Sequence, residues 1–432
     1  MSPSRKPNAP SSPAGAPTPA GHVAGLVIPR TWLVGITALL MVPWLIVGWN
    51  YRSGSAHVDA APGPEPTATA DPRGGPWGRL DLTPIIVSPP IEYVAADWNR
   101  GARGSEWRFP SVSRDMLQAF LTTSGFDASQ VGRVMAAATP EASTGGLVVR
   151  PDAELVRSLS TEQRARLYNQ LAKSPLNIDQ ANAFRFAGAS PEAWLAGSLI
   201  SPDTRQLLQP LIYRNGEYLL FADPALLLPA IDSPDERQRL AKVLLRQATL
   251  LVRLTVDDAA RVPSLAEYWG RGGRATDVRP LLESLTNTRT DHSIDIVHLL
   301  PSFARNRLYR YPKPTTADDE KPLLANCLWT VLNFFRDVPD DRFLDVPTAL
   351  ETLRRDYYVV ESDFRLGDVV ALVDDDGDLF HAAVYLADDL VFTKNGTSPV
   401  APWIIMPTGR LIAFYAHRSS DPRLIYHRRS DL

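Results

Sequence analysis

From residue 368 onward the chain runs through short segments of alternating apolar residues broken by tight turns, and that alternation constrains it to an antiparallel meander. The segments are 368–373, 379–386, 389–394, 403–406, 410–416 and 423–428. A period of two puts every second side chain on one face of a strand. Helical signals come before them, in the apolar run 325–335 and at 347–356. Short strands are expected at 294–299 and 308–311. Helices followed by a run of antiparallel strands read as α+β.

The middle of the chain repeats the grammar of helix starts. Ser160-Thr-Glu-Gln163 is a capping box, and Glu236 completes a second one begun by Ser233. Ser190-Pro191, Ser201-Pro202 and Ser233-Pro234 each set a cap before a proline at the first helical position. Helices are expected at 113–123, 127–136, 161–173, 191–198, 203–209, 234–247, 263–269 and 278–286. Residues 211–221 read as a hairpin turning on Asn215-Gly216, and 250–256 as a strand. Residues 80–112 read as a strand plus an arm. Residues 80–290 are thus expected to form a mostly helical domain with a small β-hairpin.

Arg30 and Arg52 bracket 21 uncharged residues, Thr31–Tyr51, with Trp32 and Trp49 near the ends. At 1.5 Å per residue such a helix spans about 30 Å, one bilayer core. The expectation is a single-pass transmembrane anchor at 31–51, after a disordered cytoplasmic tail (1–30) and before a Pro-rich linker (52–79). The basic flank at Arg5, Lys6 and Arg30 places the N-terminus in the cytoplasm and the bulk outside the inner membrane. The rival reading is a cleaved signal peptide ending at Gly54-Ser55-Ala56. The net charge of −3 gives no case for nucleic acid. A single cysteine excludes an intrachain disulfide, and unclustered histidines argue against a structural zinc. No cofactor or metal is expected.

That one cysteine, Cys327, stands in the first turn of the apolar helix Ala-Asn-Cys-Leu-Trp-Thr-Val-Leu. A thiol at a helix N-terminus is biased toward thiolate by free N–H groups and the helix dipole. His381 opens the strand Phe380-His-Ala-Ala-Val-Tyr-Leu386, where an imidazole facing the helix would take the thiol proton. A lone cysteine in an apolar helix serves core packing just as readily. What points to chemistry is the order: cysteine helix, Leu366-Gly-Asp-Val-Val-Ala-Leu372, hairpin, then the histidine strand.

These residues resemble the NlpC-type cell-wall cysteine peptidases, a papain-like family, in Cys327, Gly367-Asp368-Val369-Val370 and His381-Ala-Ala-Val-Tyr385. The resemblance covers roughly 300–432. It implies a papain-like domain (291–432) in which a helix packs on an antiparallel sheet, with Cys327 as nucleophile and His381 as base. The family's third residue, about a dozen positions after the histidine, falls on Thr393; Asn395 lies on the same strand face and is preferred, since papain-like enzymes use asparagine there. The family's Asp-Cys-Ser-Gly is replaced by Asn326-Cys327-Leu328-Trp329, so Asn326 and Trp329 would line the cleft. A tyrosine near the oxyanion would be Tyr309 or Tyr311. The implied activity is hydrolysis of amide bonds in peptidoglycan stem peptides by an exported enzyme. An acyltransferase using the same Cys–His pair and a catalytically degenerate envelope scaffold are the other two classes. Asp374–Asp378 is read as a solvated turn and Arg271-Gly-Gly-Arg274 as an ordinary loop.

Overall fold

The computed structural model describes residues 74–94, 105–287, 292–312, 325–398, 400–419 and 421–432, all within a compact unit, Gly48–Leu432. Among them are four antiparallel sheets. Three small ones occupy the first two thirds of the chain. Their strands are β1 (Arg79–Val87), β2 (Trp107–Phe109), β3 (Ala138–Glu141), β4 (Gly146–Val149), β5 (Phe184–Ala187), β6 (Tyr213–Asn215), β7 (Tyr218–Phe221), β8 (Gln247–Thr255) and β9 (Ser293–Asp295). They are ordered β1-β8-β9, β2-β4-β3 and β5-β7-β6.

The helices of this region start where their caps stand. Ser113 caps α1 (Arg114–Thr123), Asp127 caps α2 (Ala128–Ala137), Ser160 caps α3 (Thr161–Leu171) and Ser233 caps α4 (Pro234–Leu244), each side chain accepting a first-turn N–H. The box Ser160–Gln163 is closed in both directions. Glu236, in contrast, turns its carboxylate to the Ser201 N–H, 2.5 Å away. It joins two helices rather than closing a second box. Two further helices, α5 (Val262–Trp269) and α6 (Ala275–Thr286), follow.

The fourth sheet holds the candidate site. After α7 (Cys327–Leu332) and α8 (Val346–Asp356) come β10 (Tyr357–Val360), β11 (Val369–Val373), β12 (Leu379–Ala387), β13 (Leu390–Lys394), β14 (Trp403–Pro407), α9 (Thr408–Tyr415) and β15 (Arg423–Arg429). The strand order is β10-β15-β11-β12-β13-β14, antiparallel throughout. Strands β11, β13 and most of β12 are buried on both faces. One face (Val369, Ala382, Val384, Leu386, Phe392, Ile405) packs under α7. The other (Val370, Leu372, Ala383, Tyr385, Val391, Ile404, Met406) packs against Leu411 and Tyr415 of α9. A fully buried side chain such as Phe392 contributes about 1.5–3 kcal/mol.

The free edge of β14 is covered. The Thr249 hydroxyl donates to the Ile405 carbonyl at 2.8 Å and accepts the Ile405 N–H at 3.0 Å. Leu308 bridges to Trp403. One hydrophobic core therefore runs from Leu250 in β8 to Ile405 in β14, across residue 290.

The fold read from the sequence needs correction. The chain is α+β with several antiparallel sheets; the middle region is less helical than expected, because β2 to β5, of three or four residues each, leave no readable alternation. Residues 410–416 form helix α9 instead of a strand. Leu411, Phe414 and Tyr415 recur at helical spacing and cover the sheet. The expected membrane helix is not sustained. Among the described residues no helix is long and apolar enough to cross a membrane, and the longest, α6, has 12 residues, about 18 Å against a bilayer core of about 30 Å. Residues 31–51 lie outside those described.

Candidate active site

Asn326 explains why α7 begins where it does. Its extended backbone and its Oδ1, accepting the Trp329 N–H at 2.8 Å, form the N-cap. Cys327 is therefore the first helical residue. The Thr330 hydroxyl donates to the Asn326 carbonyl at 2.8 Å and accepts from Trp403 Nε1 at 3.1 Å. These bonds tie the thiol-bearing turn to β14.

The sheet opens beneath that turn. Pairing between β12 and β13 spans Ala387↔Leu390 to Val384↔Phe392, yet β12 begins at Leu379. Beyond Val384 the two strands are joined by side chains instead of the ladder. Cys327 faces this stretch, with its sulfur against the Ala382 N–H. His381, one residue earlier, points toward the α9 face and stacks on Tyr415 with ring centroids 4.4 Å apart.

The imidazole is held by a relay. His381 Nε2 lies 2.8 Å from Thr393 Oγ1, and the Thr393 hydroxyl donates to Asn395 Oδ1 at 3.3 Å. A hydroxyl has one proton to give. With that proton on Asn395, Thr393 accepts from His381 and Nε2 carries the ring proton. Nδ1 then holds the free lone pair. Thr393 touches the ring and Asn395 stands behind it.

Burial decides the resting charge. Cys327 is 7 % exposed and His381 1 %. Burial raises the thiol above its usual value, against the lowering pull of the N–H groups of Ala382, Leu328 and Cys327 and of the Lys394 ammonium. Burial alone pushes His381 down to about 3. The sequence argument for a helix-stabilised thiolate is thus outweighed: the resting pair is a neutral thiol and a neutral imidazole. Among the described residues no hydrogen bond joins them.

The remaining sequence candidates have structural partners. Tyr309 donates to the Leu250 carbonyl at 2.7 Å, and the Tyr311 hydroxyl, with one proton to give, lies 3.0 and 3.2 Å from those of Leu245 and Val87. Trp329 donates to Asp341 at 3.2 Å and packs between Phe303 and Trp403. Asp368 of the Gly-Asp pair is buried and accepts from Arg271 and Arg428; it anchors the sheet. Arg274 donates to the carbonyls of Leu299 and Trp269. Asp374 caps its own turn through the N–H groups of Asp376 and Asp378.

Two further residues lie near the thiol-bearing helix. Tyr415, in the segment 410–416 expected as a strand, stands on α9. Lys394, in the strand expected at 389–394, alternates with Thr393 and so takes the sheet face under α7. Its signal was available: a lysine in a strand otherwise made of Leu, Val, Phe and Thr. None of the family models, curated proteins or solved structures compared with the chain matches it.

Proposed function

We propose that Cys327, His381 and Thr393 form a thiol acyl-transfer site that hydrolyses amide bonds. The observation that carries this reading is the Thr393–His381 hydrogen bond, which orients an imidazole carried one residue before Ala382, whose N–H faces the sulfur. The thiol proton passes to Nδ1 and the sulfur attacks the amide carbonyl carbon. The Cys327 and Ala382 N–H groups, which face the sulfur, are placed to hold the oxyanion. Collapse breaks the C–N bond, and the amine leaves with the proton from His381. Water, deprotonated by His381, then cleaves the thioester and restores the thiol. Peptidoglycan stem peptides are the substrate class, on the resemblance to the NlpC-type peptidases alone.

The burial of both groups means that this chemistry requires an opening motion. The same burial favours a second reading, a catalytically silent scaffold whose Cys–His pair is core. A thiol-reactive peptide electrophile and a stem-peptide hydrolysis assay separate the two. Wild type is expected to label and hydrolyse, Cys327→Ala to do neither, and His381→Ala to lose hydrolysis. A wild-type protein inert in both assays leaves the scaffold.

A further inference from the structure

Lys394 is fully buried, and among the described residues no carboxylate forms an ion pair with it. Its Nζ donates to the carbonyls of Gly396 and Ser398 at 2.8 and 2.9 Å and lies 5.7 Å from the centre of the Trp403 ring. Taking an ammonium out of water without a counter-ion is expensive. Two carbonyl dipoles and an aromatic face offset part of that cost, but leave the charge uncancelled. A methionine or leucine would fill the site more cheaply if packing were all that mattered.

The residue's position gives the missing partner. Lys394 and Trp403 are cross-strand neighbours, and Trp403 is bonded to Thr330, one turn after Cys327. Once ionised, the Cys327 sulfur is the charge that acts on Lys394. The Ala382 N–H on β12 is hydrogen-bonded to that sulfur, and Lys394 on β13 and Tyr415 on α9 interact with it electrostatically; His381 precedes Ala382 in the chain. Lys394 is the cation among the charged groups acting on it.

We propose that Lys394 is a positioning residue for the thiol chemistry: its buried ammonium is the counter-ion of the Cys327 thiolate, so that the reactive ion pair is cysteine–lysine while His381 carries the proton. The S–H proton moves to His381 Nδ1, the sulfur keeps the bonding electrons, and Lys394 retains its own proton throughout. Its downward displacement to about 7 by burial, opposed by the Cys327 charge, agrees with a cation whose place depends on that anion. The inference rests on Cys327 being the reacting atom.

With one cysteine in the chain, thiolate formation can be read directly as ultraviolet absorbance against pH, taking Cys327→Ser as the blank. In Lys394→Met the midpoint is expected to rise by about one pH unit or more, roughly a ten-fold loss of thiolate at neutral pH. Lys394→Arg should restore most of it. A folded Lys394→Met with the wild-type midpoint overturns the proposal. Should that variant fail to fold, the reciprocal measurement decides. Nitrogen NMR of the lysine side chains should show the Lys394 titration lowered in Cys327→Ser, and an unmoved Lys394 overturns the proposal equally. Both readouts follow protons and need no substrate. Absent stem-peptide hydrolysis with an intact Lys394 effect therefore removes the proposed activity alone, whereas hydrolysis with a Lys394-independent thiol removes this inference alone.

Discussion

His381 Nε2 and Thr393 Oγ1 stand 2.8 Å apart, across a stretch where their two strands no longer share a ladder. The hydroxyl therefore fixes the ring that the backbone leaves unsupported. Thr393→Val strands a buried N–H, at a cost of about 1–3 kcal/mol, while Thr393→Ser keeps the acceptor. Chemical denaturation should show the valine variant destabilised in that range and the serine variant near wild type. In the hydrolysis assay the turnover number should fall with valine more than with serine. Equal behaviour of the two would mean that the hydroxyl holds nothing.

Asp368 lies 1 % exposed between Arg428, bonded to both of its oxygens, and Arg271. Asp368→Asn leaves two guanidinium groups facing a neutral amide. Breaking a buried pair from one side costs about 3–5 kcal/mol. A thermal melt is expected to show a clear drop for Asp368→Asn, and a milder one for Arg271→Met, whose side chain is the more exposed of the two arginines. A melt unchanged by the asparagine would contradict this account of the Gly-Asp pair.

Gly367 adopts φ +90°, and a Cβ there would run into the Phe335 ring. Gly367→Ala adds a steric conflict to a conformation disfavoured for any L side chain. Gly396 has a similar φ of +85° with open space around it, so Gly396→Ala carries the conformational cost alone, about 1 kcal/mol or more. Denaturation midpoints should fall further for Gly367→Ala than for Gly396→Ala. The reverse order would show that Phe335 moves aside freely.

Burial holds the His381 imidazole neutral down to about 3 and that of His427 down to about 4. In the unfolded chain both titrate near ~6.5. Above that value neither state binds the proton, and these residues add no pH dependence. Below it the unfolded state takes up protons that the fold refuses, so stability is lost as pH falls, by about 1.4 kcal/mol per unit per histidine. The loss levels off near about 4 for His427 and about 3 for His381. His381→Gln should flatten the decline in stability between about pH 6.5 and about pH 4 by that amount. A variant as acid-sensitive as wild type would place the charged imidazole in the native state.

Local chemistry made much of this protein readable from its sequence. Ser160 and Gln163 close their box because both partners sit within one helical turn, and the 211–221 hairpin turns on Gly216-Glu217, one residue beyond the expected Asn215-Gly216, because Gly216, at φ +56°, tolerates a conformation that few residues do. Period-two alternation marked β11 to β15 but not β10, and the resemblance put Thr393 a dozen positions after His381, while Asn395, the preferred partner, stands one bond further from the ring. Tertiary structure decided what depends on distance through space. Leu411, Phe414 and Tyr415 became helical because the sheet face beneath them needed covering. Glu236 left its own helix start for the N–H of Ser201. Above all, the charge state of the thiol and imidazole follows from how much water surrounds them, and the approach of Lys394 to Cys327 follows from which strand face lies under α7. Neither quantity is written in any stretch of neighbouring residues, because burial and long-range electrostatics are properties of the packed chain.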